Sequence, residues 1–113
     1  MNTFDMKLNP EAFQEILNRL KTQEIRLNDE KRRLIKPGDR IRFTCGDEVL
    51  EVAVINLTIA SNFVELFEKV CPKLAGWSSD TTPEQAASDM RKYYSEDDEK
   101  KWGVLAIEIK LVE

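Results

Sequence analysis

The chain contains no histidine. It therefore lacks the side chain that most often serves as general base and most often ligates metal. Ser-His-Asp and Cys-His activation of a nucleophile are excluded. Only two cysteines occur, Cys45 and Cys71, and they stand far apart without a metal-type spacing. Two thiols do not complete the four-ligand shell of a structural zinc ion, so neither a metal nor a cofactor is expected. No apolar run approaches the roughly 18 residues that a membrane span needs. The opening segment MNTFDMKLNP lacks the basic stretch followed by an apolar one that marks a secretory signal. A cytoplasmic protein with reduced thiols and no membrane contact is expected. Any catalysis has to use Lys, Glu, Asp, Tyr, Thr or Cys.

What is present fits one globular domain over residues 1–113. Hydrophobic residues make up 42% and charged residues 34%, a balance that argues against disorder. The net charge is −4, so non-specific capture of nucleic acid by the whole surface is not expected. The distribution is uneven, however. Between Arg19 and Arg42 nine basic residues stand against four acidic ones. A basic segment on an acidic body suits selective binding of a phosphate or nucleotide, or it is a solvated face with local ion pairs.

The periodicity alternates between strand and helix. Thr3 to Leu8 reads as a short strand with Phe4, Met6 and Leu8 on one face. Asn9-Pro10 starts a helix, and Phe13, Ile16, Leu17 and Leu20 form its apolar stripe, which predicts an end near Leu20 or Lys21. Thr22 to Leu27 reads as a strand. Asn28 to Lys36 is a polar, basic loop with a short helical turn. Lys36-Pro37-Gly38-Asp39 is a turn that launches a strand over Arg40 to Cys45. Glu48 to Ile59 is a long strand whose change of face predicts a bulge. Ser61 or Asn62 caps a second helix, with Asn62 and Glu65 spaced as a capping box, and the helix stops at Cys71-Pro72. Thr82 with Gln85 caps a third, predicted to run to about Tyr94. Ser95 caps a short acidic-then-basic helical turn that runs to Lys101. Gly103 to Leu111 is the clearest strand, with Leu105, Ile107, Ile109 and Leu111 inward. Strands come from both ends of the chain. The expected class is α+β, a small mixed barrel of about five to six strands with three helices on its outside.

The segment Lys21-Thr22-Gln23-Glu24-Ile25-Arg26 carries the chemistry. Period-2 geometry puts Thr22, Glu24 and Arg26 on one strand face, with alternate side chains about 7 Å apart. Lys21, at the helix–strand junction, reaches the same side. Either these residues hold a small polar ligand, or Glu24 and Arg26 form an exposed ion pair worth about 0–1 kcal/mol. Arg32 and Arg33, in the run Lys31-Arg32-Arg33, are candidates to clamp phosphate. Trp77 and Trp102 are candidates to stack a base, or they pack the rim. Of Tyr93 and Tyr94 only one can be fully buried, which leaves the other, taken as Tyr94, to present its hydroxyl to a cleft.

The pattern K-T-x-E-x-R, then KPGD opening a strand, then a Tyr-rich helix before W-G-V-L-A-I-E-I, resembles the ASCH family from about Met6 to Val112. The resemblance implies a PUA-like barrel with a cleft between barrel and helices that binds RNA or a nucleoside or nucleotide, in a protein expected to be monomeric. One branch of that family removes the acyl group from N4-acetylcytidine through a similar junction, K-T-x-T-x-R. There the lysine activates the second threonine, and a downstream glutamate assists. Here Lys21 and Arg26 match, whereas Glu24 takes the nucleophile's place. Glu65 and Glu68 are the candidates for the assisting glutamate. As an enzyme, the chain would use Lys21 and Glu24 as an acid–base pair on modified nucleosides or RNA. As a binding module, it would use Lys21, Thr22, Glu24, Arg26, Arg32, Arg33, Tyr94 and Trp102. A protein-interaction domain with a vestigial cleft is the third alternative.

Overall fold

A computed structural model describes residues 1–112. The strand read most clearly from the sequence is β5 (Val104–Leu111), and it lies between two neighbours. On one side β5 pairs antiparallel with β2 (Gln23–Leu27), and on the other with β4 (Glu48–Ala60). β4 pairs in turn with β3 (Arg40–Cys45), and β1 (Thr3–Lys7) adds to β3 in parallel. The result is one five-stranded sheet in the order β1-β3-β4-β5-β2, curled into a half-barrel. β4 is thirteen residues long and shifts register between Val54 and Asn56. That irregularity is the expected bulge, and it lets one strand serve β3 with its first half and β5 with its second.

Among the described residues four helices surround the sheet: α1 (Pro10–Leu17), α2 (Phe63–Lys69), α3 (Pro83–Asp89) and α4 (Glu96–Trp102). The sequence predicts three. The additional helix is α4, where the sequence predicts only a helical turn; the Ser95 hydroxyl accepts from the Asp98 N–H, as its capping role requires, and a seven-residue helix follows. α3 stops at Asp89 rather than near Tyr94, because the chain tightens into a 3-10 turn over Met90–Lys92. The Thr82 and Gln85 capping box forms as expected. At α2 only half of one does: Asn62 caps the Glu65 N–H, and Glu65 itself pairs with Lys69.

Two apolar cores lie on opposite faces of the sheet. The concave face buries Met6, Ile41, Phe43, Leu105 and Ile107 under Phe13 and Ile16 of α1. On the other face Ile25, Leu27, Val104 and Ala106 pack against Phe63, Leu66 and Phe67 of α2 and Ala86 and Ala87 of α3. β5 is thus buried on both faces, from Val104 to Ile107. The single inward row expected from its alternation was incomplete, because a helical layer covers the second face. Gly103 makes the entry into β5 possible. Its φ of 74° and ψ of −174° belong to a region essentially closed to other residues, and a Cβ there would stand 3.1 Å from the Ala60 carbonyl oxygen.

The KPGD turn is tied to the N-terminal strand through Asp39. Its carboxylate accepts the Asn2 and Lys36 backbone N–H groups, both at 2.9 Å. These two bonds, Asn2 first, hold its pKa below the usual aspartate value. A lowered folded-state pKa contributes stability that is complete above the unfolded value and is lost as pH falls through the folded one. Asp39→Asn is therefore expected to flatten the acid side of the stability curve, read from urea midpoints between neutral pH and about pH 2. Parallel curves for the two proteins would refute this account.

Candidate functional site

The site begins where α1 ends. Its apolar stripe continues in sequence to Leu20, yet the helix stops at Leu17 and leaves Leu17 and Leu20 exposed. The reason is local. Asn18 caps the helix, Arg19 turns left-handed at φ 60°, and the N–H groups of Leu20 and Lys21 both reach the Glu15 carbonyl, at 2.9 and 3.1 Å. This tight reversal ends α1 early and points Lys21 back at β2.

Lys21 Nζ then lies 3.4 Å from Glu24 Oε1, and Arg26 Nη2 lies 3.8 Å from Glu24 Oε2. Glu24 is 4% exposed. Its Oε1 also accepts the Ile25 N–H at 3.1 Å, while its Oε2 is shut away from water without a hydrogen-bond partner. Arg26 spends one N–H on the Lys7 carbonyl at 3.0 Å. That bond spans the gap between β1 and β2, the two strands at the open edges of the half-barrel. The cluster carries one negative and two positive charges, so it is net cationic.

These three residues form part of a cleft of about 570 Å³ at that open edge. Lys7, Asn9 and Glu15 line it from the β1–α1 side. Trp77, Asp89, Tyr93 and Tyr94 line it from the helical side. Trp77 is held in place: its Nε1 donates to Asp89 Oδ2 at 2.8 Å, and its ring meets Phe67 edge-on at 5.1 Å. Tyr94 stacks on Phe63 at 6.0 Å, whereas Tyr93 is exposed. The cleft thus combines the Lys21–Glu24–Arg26 cluster and a fixed aromatic wall, in a lining of four basic side chains (Lys7, Lys21, Arg26, Lys92) and four acidic ones (Glu11, Glu15, Glu24, Asp89). Its lining includes no serine, threonine or cysteine. Among the described residues no group of three or more Cys, Asp and Glu side chains is arranged to hold a metal ion, and no helix is long and apolar enough to cross a membrane.

The candidate residues fall into separate groups. Lys21, Glu24, Arg26 and Tyr94 line the cleft, but Thr22 does not. The Thr22 backbone is occupied, donating to the Leu74 carbonyl at 2.9 Å and accepting from the Ile109 N–H at 2.8 Å. Arg32 pairs with Asp29 at 2.8 Å and lines neither cleft nor depression. Arg33 and Trp102 meet in a separate, shallower depression of about 440 Å³. Glu65 lies at the edge of that depression, and neither it nor Glu68 lines the cleft. Glu15 and Asp89 were not anticipated. Their roles depend on contacts with the Gly76–Trp77 loop, distant in sequence, and no local pattern marks them. Cys45 and Cys71 are both free thiols.

The ASCH domain family model matches residues 6–113. Two solved structures resemble the chain along almost its whole length. Hypothetical protein PH0355 is 38% identical, with a TM-score of 0.87 over 99% of this chain and 100% of that one. Protein PF0455 from Pyrococcus furiosus is 39% identical, with a TM-score of 0.77 over 98% of each chain. A mutant of ZmASCH from Zymomonas mobilis shares the fold at 16% identity, with a TM-score of 0.66 over 96% of this chain and 68% of that one. No curated protein matches in sequence.

Proposed function

The chain belongs to the ASCH domain family, a PUA-like fold often linked to RNA binding, and on that footing we propose that its cleft binds a nucleotide, free or as part of an RNA. The observation that carries this reading is the desolvated Lys21–Glu24–Arg26 cluster beside the fixed indole of Trp77. Lys21 and Arg26 supply charge-assisted donors for a phosphate or carbonyl oxygen. Glu24 supplies an acceptor for a base amine or a sugar hydroxyl once Arg26 shifts from its Oε2. Trp77 and the tyrosines offer ring surface, and stacking on such surface contributes about 1–3 kcal/mol per base. The cleft volume falls within the roughly 300–1,000 Å³ usual for small-molecule sites.

Titration with nucleoside monophosphates and short RNAs, followed by NMR, tests the reading. Resonances of residues 21–26 and the Trp77 indole N–H are expected to shift, and Lys21→Met is expected to weaken binding about tenfold, the equivalent of 1.4 kcal/mol. A panel that moves none of these resonances would overturn it and leave the protein-interaction alternative. The close Lys21–Glu24 pair favours a second reading, acid–base hydrolysis of an acylated nucleoside such as N4-acetylcytidine. The absence of a serine, threonine or cysteine from the lining weighs against covalent acyl transfer, so binding is the stronger reading. Including N4-acetylcytidine in the titration separates the two, because turnover that disappears in Lys21→Met would favour the enzyme.

A further inference from the structure

The depression at the far end of β2 has a composition unlike the rest of this acidic chain. Arg33, Lys100, Lys101, Trp102, Asn28 and Ser61 line it. Two of the cations stand over the same ring: the Arg33 guanidinium carbon lies 5.6 Å and Lys101 Nζ 4.9 Å from the Trp102 ring centroid. Both distances are within cation–π range. Arg33 is also fixed from below, donating to the Asn28 carbonyl at 2.7 Å and the Trp102 carbonyl at 3.1 Å. The 3-10 turn over Arg32–Leu34 brings it there. Neither Lys100 nor Lys101 has a carboxylate partner among the described residues. Glu65, at the edge, is turned to Lys69 at 3.5 Å. The depression therefore concentrates three cations around one half-buried indole.

Its position relative to the cleft matters as much. Arg26 lines the cleft, and Asn28, two residues on, lines the depression. Two residues of extended chain cover about 7 Å. Both concavities thus take lining residues from the last part of β2 and the residue that follows it, a spacing that one short single strand can reach across.

We propose that the Arg33–Lys100–Lys101–Trp102 depression is a second nucleic-acid subsite, which holds the phosphate backbone and one stacked base of a single strand whose neighbouring nucleotide sits in the cleft. This deepens the cleft reading and rests on it for the identity of the ligand as nucleic acid. Cations that follow a backbone, interleaved with ring surface, are the combination used for single strands. An acidic peptide would use the cations but not the ring face.

The test compares a mononucleotide with a single-stranded RNA octamer on the full chain. The Lys100→Gln/Lys101→Gln double variant removes two exposed charges, and a thermal melt checks its fold. Octamer affinity is expected to fall about tenfold or more, with mononucleotide affinity unchanged. The slope of log K against log salt should shrink by about 1.4, at roughly 0.7 per phosphate contact on a single strand. Trp102→Leu keeps apolar bulk without the ring and is expected to weaken the octamer alone. Unchanged octamer affinity and slope in the lysine variant would overturn the subsite, as would failure of the octamer to bind. Competition by a glutamate-rich peptide as strong as that of RNA would also overturn it, in favour of a protein partner. If the mononucleotide fails to bind while octamer binding still depends on Lys100 and Lys101, the cleft reading falls and the subsite stands.

Discussion

Glu24→Ala is expected to cost about 2–4 kcal/mol of stability and to abolish ligand binding in the cleft. The stability term follows from what is left behind. Lys21 and Arg26 have side chains only 11% and 16% exposed, and both face the same carboxylate. Without it, two like charges remain in a poorly solvated site, where a single unpaired buried charge already costs several kcal/mol. Arg26 retains the Lys7 carbonyl, which softens the loss and sets the lower end of the range. Chemical denaturation measures the cost directly. Lys21→Met in the Glu24→Ala background is expected to recover part of it, since the two sites are in contact and do not add. A Glu24→Ala protein as stable as the parent would mean that the carboxylate is already solvated and the cluster is an ordinary surface pair. Glu24→Gln separates the two effects, because it keeps an acceptor of similar shape and removes the charge. It is expected to bind more weakly while unfolding closer to the parent.

The cluster also marks how far the sequence could be read. The alternation in Lys21 to Arg26 identified which side chains share a face, and the pairing of β2 with β5 agrees with it: Glu24 stands opposite Ile107, and Arg26 opposite Leu105. Burial was not legible. Nothing in the pattern separates an exposed ion pair from a desolvated one, because the walls around it include the Gly76–Trp77 loop, remote in sequence. The same limit explains β5. Its alternation predicted one buried face, and the second was buried by helices whose docking no strand pattern encodes. Caps and turns were more readable, since Asn9, Thr82 and Ser95 act within three residues of themselves. The end of α1 was misread for a related reason. Leu17 and Leu20 continue the stripe, but a left-handed Arg19 overrides it, and arginine carries no signal for that backbone. Arg33 and Trp102 stand out by residue type as candidates for ligand binding. Their separation from the cleft was a matter of tertiary geometry alone.

The acidic run at the start of α4 brings the contrast to one testable point. Glu96, Asp97, Asp98 and Glu99 look alike in sequence, and all favour a helix N-terminus. In the fold only Glu99 is buried. Its Oε2 accepts the Phe63 N–H at 2.7 Å, and its Oε1 meets Arg91 at 2.5 Å. Phe63 opens α2 and its side chain is completely buried, so no water stands ready to replace that bond. Glu99 therefore holds α4 to the N-terminus of α2 and anchors Arg91, whose own chain leads to Tyr93 and Tyr94 of the cleft. Glu99→Ala is expected to cost about 2–4 kcal/mol, from a buried donor left unmatched and a broken ion pair. Asp97→Ala, in the same first turn but exposed, is expected to cost less than about 1 kcal/mol. Urea unfolding of both variants measures the gap. If the two were equal, the helix-terminus charge would account for both and the link to Phe63 would contribute nothing. A larger loss for Glu99 assigns the difference to a contact spanning 36 residues, and a weakened Arg91 anchor should also broaden the Tyr94 resonances at the cleft wall.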